Sequence, residues 1–361
     1  MPLRLGIIGA GHLGRFHARL ARTIGEIQLV GIADPVAGAA QRVADEIGGC
    51  RTVSDFRELI PDIDAAIVAA PTCLHYGIGR ELLLRGVHVL MEKPLAPSIG
   101  ECEDLVALAR RQKLVLQVGH IERFSPGFTA VRDAAVGAAS STPRRYSGYS
   151  FRSTDIGVVL DLMIHDIDLC LQLAGCGVQS VEAMGLSVFG PHEDLAHARL
   201  TFDNGCVAVL QASRVSDVGR RDMEIWSDRT RVRVNFGDRT ATIARTAADI
   251  ARGERSLAGL PSTEVARLKE VVFEELIELE KIEPAANNPM AEEQRDFLEA
   301  IREGRDARVN GEHGRDAVAV AERILACIAA GEERRRPNPS PQILRPPHWQ
   351  TQPTAERRKS A

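Results

Sequence analysis

Apolar residues follow two alternating rhythms over the first third of the chain: short continuous runs, and longer stretches that are apolar on one side only. The runs read as buried strands over 5–8, 27–34, Asp64–Ala69, Val87–Met91 and Leu114–Val118. The one-sided stretches predict helices over Val36–Ile47, His75–Arg85 and Ser98–Gln112, with a further helix entered at Gly14. The Ser98 hydroxyl, with Glu101 three residues on, marks the last of these as a capped N-terminus. Strand and helix in steady alternation imply an α/β domain whose parallel sheet is covered on both faces. Right-handed crossovers then leave the doubly wound (Rossmann) order as the expected topology.

Near Gly119 the rhythm changes, so a first domain over residues 1–119 is expected. After a helix over Pro126–Ala135 and a polar loop, strands dominate: Tyr146–Phe151, Val178–Val188, Ala196–Phe202, Cys206–Ala212, Met223–Ser227 and Arg231–Asn235. Only Asp161–Leu173 interrupts them as a clear helix. Turns such as Asp203-Asn204-Gly205 join neighbouring strands, which predicts an α+β domain over 120–331 with a largely antiparallel open sheet, one face covered by helices. Helices over Met290–Arg302 and Gly314–Ala330 are expected to pack back near the first domain. From 332 to 361 the chain is proline-rich, basic and unpatterned, and is expected to be disordered or draped on the surface.

Composition removes several function classes. A net charge of -4, with bases and acids interspersed, gives no electrostatic footprint for nucleic acid. No apolar run approaches the roughly 20 residues that span a bilayer, so the expected setting is the cytoplasm, away from membranes. The 7 cysteines are scattered and never in C-x-x-C spacing, which argues against both a disulfide framework and a structural zinc site. No metal is expected.

Chemistry enters at the turn after the first strand. Gly9, Gly11 and Gly14, with His12 and Leu13 between the last two, stand in G-x-G-x-x-G order. Gly9 allows the tight turn, Gly11 lets the backbone approach a pyrophosphate, and Gly14 lets the helix sit close on its strand. Asp34 ends the second strand about 20 residues further on, the interval expected of a ribose-binding carboxylate. Asp34 accepts ribose hydroxyls and repels a 2′-phosphate, and Pro35 offers no N–H to hold one, so the expected cofactor is NAD rather than NADP.

Three further clusters fall where an open sheet binds ligands. Ala70-Pro71-Thr72 with His75 follows a strand; the plainer reading is a helix cap and a surface histidine. Glu92-Lys93-Pro94 ends another strand, where a desolvated lysine becomes a base and a solvated one does nothing. Asp161 and His165 lie four apart on one helix, so the carboxylate is placed to orient the imidazole for proton transfer, with Asp166 and Asp168 pointing elsewhere. An exposed acidic helix, or a metal site lacking its further histidine, are the alternatives. The residues support a nicotinamide-dependent dehydrogenase.

In their order, G-I-I-G-A-G-H-L-G, A-A-P-T-x-x-H, M-E-K-P-L, V-G-H-x-x-R-F and D-x-x-x-H-D-I-D resemble the glucose-fructose oxidoreductase and inositol dehydrogenase (Gfo/Idh/MocA) family, over about Leu3–Ala330. The closing patterns at Glu293–Gly304 and Asn310–Gly314 belong to the same resemblance. It implies an NAD(P)-dependent oxidoreductase of a sugar or cyclitol alcohol, with Lys93, Asp161 and His165 in the active site. It also implies a homodimer or homotetramer formed through the second-domain sheet. Met163 stands where the family usually has glycine, which bears on the substrate pocket. Gln117–Pro126 and Phe151–Asp168 look more like the branch acting on UDP-sugars, so the expected reaction is oxidation of the 3-hydroxyl of UDP-N-acetylglucosamine or a related UDP-sugar. His120, Arg123 and Arg152 are the expected substrate contacts, the two arginines as a pyrophosphate clamp. A free sugar or inositol is the alternative substrate, and a non-catalytic dinucleotide-binding regulator the alternative function.

Overall fold

The computed structural model describes residues 2–151, 155–283 and 286–335. In the N-terminal part, β1 (Leu3–Ile8), β2 (Ile27–Ala33), β3 (Arg51–Val53), β4 (Ala65–Val68), β5 (His88–Met91) and β6 (Leu116–Val118) form one sheet in the order β3-β2-β1-β4-β5-β6. Every pairing in it is parallel. The connecting helices are α1 (His12–Ala21), α2 (Ala39–Glu46), α3 (Thr72–Leu84) and α4 (Ile99–Gln112). Alternate residues of β1 feed opposite cores: Leu3, Leu5 and Ile7 pack with Ala18 and Ala21 of α1, while Ile8 joins Val68, Met91 and Leu105. This is the doubly wound order, and it reverses between β1 and β4, the place where such sheets bind ligands.

After α5 (Pro126–Val131) comes an eight-stranded sheet built from β7 (Ser140–Tyr146), β8 (Val178–Leu186), β9 (Leu195–Phe202), β10 (Val207–Ser213), β11 (Arg220–Ser227), β12 (Thr230–Asn235), β13 (Thr240–Thr246) and β14 (Ile277–Ile282). The order is β14-β13-β12-β11-β7-β10-β9-β8, antiparallel except where β10 runs parallel to β7. The helix α6 (Ile164–Ala174) covers its inner face, with Ile167 and Cys170 in the same core as Leu200, Leu210 and Ile225.

Several elements differ from the expectation. β7 occupies the polar loop, and the strand expected over Tyr146–Phe151 begins only where β7 ends. Its sequence S-S-T-P-R-R-Y has no apolar period because Arg144 pairs with Asp222 and Arg145 with Asp166 instead. The helix expected over Asp161–Leu173 starts as a π turn, Val159–Met163, before α6 proper. The strands β13 and β14 and the helices α7 (Ala248–Ala251) and α8 (Ser262–Glu270) were not expected; β14 reads I-E-L-E-K-I, a charged edge strand. The tail beyond 335 lies outside the described residues.

Two helices close the molecule. α9 (Pro289–Glu303), capped by Asn288 Oδ1, lays Phe297 and Leu298 into the core beneath β1. α10 (Gly311–Arg335) packs against α4, α6 and β8. Its approach to β6 is close enough that a Cβ on Gly314 would sit 2.7 Å from the Val118 side chain. Val118 N also donates to Val309 O at 2.8 Å. Among the described residues no helix is long and apolar enough to cross a membrane.

Burial sets the acid limit of stability. Desolvation is the first cause lowering the pKa of His75, His88, His120, His165 and His313. The fold holds these rings neutral, while the unfolded chain takes up protons below about pH 6.5, so stability is lost as pH falls through that value. Glu293 and Asp166, pushed up chiefly by burial, act in the opposite sense but are fewer. Carboxylates held low, such as Glu122, add their loss only below about pH 4.5. The urea midpoint is therefore expected to be lower at pH 5.5 than at pH 7.5; an equal or higher midpoint at pH 5.5 contradicts this account.

Candidate active site

A cleft of about 1390 Å³ runs from the β1–α1 turn to the second sheet. That exceeds the roughly 300–1,000 Å³ usual for one small ligand, so there is room for two. At one end it is lined by Gly9, Gly11, His12, Leu13, Asp34 and Ala70, and in the middle by Lys93, Asp161 and His165.

The glycines divide the work as their order predicts. Gly9 has φ +97°, and a Cβ there would meet Ala69 O at 2.5 Å; a Cβ on Gly14 would overlap the Gly9 carbonyl. A Cβ on Gly11 would meet nothing within 4 Å, because that position faces the cleft. α1 begins there with no side-chain cap, leaving its first N–H groups to an anionic ligand. Asp34 is braced by Ala10 N at 2.7 Å and Val36 N at 2.8 Å, and each of its oxygens keeps a further lone pair. These residues fit a dinucleotide. Asp34→Ser is expected to leave NAD binding weaker and NADP binding tighter by calorimetry; no gain for NADP removes Asp34 as the discriminating charge.

Lys93 follows β5, and its Nζ donates to Asp161 Oδ1 at 3.0 Å and to the Asp161 carbonyl at 2.6 Å. The carboxylate is thus committed to Lys93. Among the described residues no hydrogen bond joins Asp161 to His165, contrary to the orienting role expected for it; Asp161 lies in the π turn and His165 in the α-helix beyond. His165 Nδ1 is buried without a partner. Burial first, then the charges of Lys93 and Arg145, hold His165 well below its ordinary range, so the ring is neutral. A neutral imidazole and an ammonium in one cleft can accept a proton and donate a hydrogen bond, respectively.

Other expected site residues lie behind this surface rather than on it. His75 is buried, not a surface residue: Nδ1 bonds Pro94 O at 2.8 Å and Nε2 bonds Ala70 O at 2.9 Å, tying together the turns after β4 and β5. Thr72 opens α3 without capping it and is buried. Glu92 turns inward to His17 Nε2 at 2.9 Å, with Gln294 Nε2 on His17 Nδ1 at 2.9 Å. Burial would raise the Glu92 carboxyl, but His17 and Lys93 hold it low. His120 packs edge-on behind His165, with ring centroids 6.1 Å apart and both its nitrogens unpartnered.

The expected arginine clamp is corrected. Arg123 is buried in a two-pronged pair with Asp168, both bonds 2.7 Å, and has no part in the cleft lining. Arg152 lies outside the described residues. Sequence reasoning missed Arg145, Arg214 and Arg221, which do line the cleft. Arg145 binds Asp166 and Glu122, and Arg221 reaches Glu122 Oε1 at 2.6 Å. The only signal for Arg145 was an unexplained basic pair before Tyr146 and for Arg221 another at the start of β11; Arg214, alone between Ser213 and Val215, gave none. Among the described residues no cluster of metal-binding side chains occurs.

Comparison with known proteins agrees with this geometry. Residues 3–120 match the oxidoreductase family with an NAD-binding Rossmann fold, and residues 130–234 match the GFO/IDH/MocA C-terminal domain. The chain is 35% identical over 334 residues to UDP-N-acetylglucosamine 3-dehydrogenase of Acidithiobacillus ferrooxidans, covering 92% of this chain and 99% of that protein. It is 28% identical over 235 residues to the NAD-dependent scyllo-inositol 2-dehydrogenase of Bacillus subtilis, covering 60% of this chain and 69% of that one. A solved structure of the Acidithiobacillus ferrooxidans enzyme superposes with a TM-score of 0.79 at 32% identity, covering 91% of this chain and 99% of that one. Levoglucosan dehydrogenase in complex with NADH shares the fold, with a TM-score of 0.77 at 20% identity over 91% of this chain and 98% of that one.

Proposed function

The chain belongs to the GFO/IDH/MocA oxidoreductase family and uses NAD, and from that premise we propose that it oxidises the 3-hydroxyl of UDP-N-acetylglucosamine, or of a closely related UDP-sugar, to the ketone. The observation that carries this reading is the near end-to-end 35% identity to a UDP-N-acetylglucosamine 3-dehydrogenase, set against 25% identity to a myo-inositol 2-dehydrogenase matched over the same 92% of this chain.

Bound NAD supplies the hydride acceptor. The Gly9–Gly14 turn and the α1 N-terminus hold its pyrophosphate, and Asp34 its ribose. Neutral His165 takes the hydroxyl proton, and Lys93, fixed by Asp161, donates a hydrogen bond to the same oxygen as negative charge builds there. A regulator without chemistry has no use for an ammonium and a neutral imidazole facing one space.

Trp226, Arg231, Ala244 and Leu279 are successive cross-strand partners and so share the outer face of the second sheet. With Trp226 and Leu279 about half exposed, that face supports assembly of two or four copies, which light scattering tests.

The function is tested by NAD reduction at 340 nm with UDP-N-acetylglucosamine, its uronic acid, glucose and inositol. Turnover of the UDP-sugars is expected. Activity on free polyols with none on any nucleotide sugar overturns the substrate and leaves the family.

A further inference from the structure

The cleft continues past Lys93 along residues 145–150 to Arg214 and Arg221. Tyr149 lines this outer stretch, and its ring meets Phe151 edge-on at 5.0 Å and Phe189 at 4.9 Å. Phe151 is 84% exposed and Phe189 65%. Aromatic residues make up only 4% of the chain, so two exposed rings packed against a third that lines the cleft call for a reason.

Two of the three rings are held from beneath. Asp194 Oδ2 accepts Val188 N at 2.7 Å and Phe189 N at 2.8 Å, while Asp194 Oδ1 accepts Arg214 Nε at 2.6 Å. Arg214 in turn lies 5.5 Å from the centre of the Tyr149 ring. A buried ion pair therefore fixes the backbone beneath one exposed ring and supports the face of another. Such preorganisation lowers the ordering cost of binding a flat ligand. Arg221 lines the same cleft; its side chain is 52% exposed and gives one N–H to Glu122, leaving further donors of the guanidinium.

We propose that Tyr149, Phe151 and Phe189 form a stacking subsite for the base of a nucleoside diphosphate sugar, with Arg221 as the cation for its diphosphate. The proposal rests on the nucleotide-sugar reading above and assigns that substrate a direction: sugar at Lys93 and His165, diphosphate at Arg221, base on the outer rings. Every base has a π face, so the rings supply affinity to a nucleotide-linked sugar that a free sugar, lacking a base, does not gain.

The test uses uridine diphosphate and inorganic pyrophosphate as calorimetric probes of the full chain, together with steady-state kinetics on UDP-N-acetylglucosamine. Phe189→Ala, at an exposed side chain, and Tyr149→Ala are expected to weaken uridine diphosphate binding by roughly 5- to 150-fold. They should raise KM for the UDP-sugar more than they lower kcat, and leave pyrophosphate binding unmoved. Tyr149→Phe, which keeps the ring, should recover most of the affinity, and Arg221→Met should weaken both probes. If wild type oxidises the UDP-sugar and both alanine variants bind uridine diphosphate as it does, the subsite is overturned while the substrate reading stands. A changed molecular mass by light scattering with unchanged KM overturns it as well, making the rings a contact between copies. If wild type neither binds uridine diphosphate nor turns over any nucleotide sugar, the underlying reading has failed.

Discussion

Lys93→Met is expected to lower kcat by about 10²- to 10⁴-fold, the range for losing a positioned proton-transfer partner, while NAD still binds. The lysine is held at two points by Asp161 and faces the cleft, so its removal deletes both a donor and a positive charge. The pH profile adds a second signature. In the wild type, burial and then the Lys93 charge keep His165 well below its ordinary range, so kcat should stay flat from pH 8 to below pH 6.5. Without Lys93 the second of these causes is gone, the His165 pKa rises, and the acid limb of the residual activity moves to higher pH. His165→Ala should lower kcat similarly and abolish that limb. Turnover within tenfold of wild type in Lys93→Met removes the lysine from the chemistry.

Arg145→Met should cost about 3–5 kcal/mol of stability, the usual penalty for removing one partner of a buried ion pair. Arg145 is almost wholly buried, with Asp166 and Glu122 both bonded to it. Burial opposes its charge, but the two carboxylates more than restore it and raise its pKa. Arg221 still neutralises Glu122 in the variant, but Asp166 is left alone in the interior. The urea midpoint at pH 7.5 reads the loss. Adding Asp166→Leu to Arg145→Met should recover part of it, since an apolar pair replaces an orphaned charge; no recovery means that the pair does not carry the energy.

Local rules reached much of this site. The glycine turn, Asp34 and Lys93 were legible because each depends on a strand end and a few residues around it, Asp161 and His165 were legible as a pair four apart on one helix, and the union of the three came from the family resemblance. What failed depended on residues far apart in the chain. Arg123 looked like a free clamp because nothing in its neighbourhood reveals Asp168 opposite; Glu92 looked like a cleft residue because its partner, His17, lies far back in the chain on α1. The arginines that do reach the cleft come from β7, β11 and the turn after β10, and one of those strands was itself hidden. β7 satisfies its charges with ion pairs instead of burying an apolar face, so the hydrophobic rhythm on which strand recognition rests was absent.

The close contact of α10 with β6 has a consequence for biosynthesis. Leu116 and Val118 leave the ribosome some two hundred residues ahead of α10, which at roughly 5–20 residues per second is an interval of about 10–40 s. Throughout it, the last strand of the first sheet presents bare apolar side chains and the amide that Val309 will later take. Unpaired strand edges of this kind are where nascent chains adhere to one another. A strand of the first sheet is thus completed by a helix made some two hundred residues later, so the nascent chain needs shielding at β6 until α10 arrives.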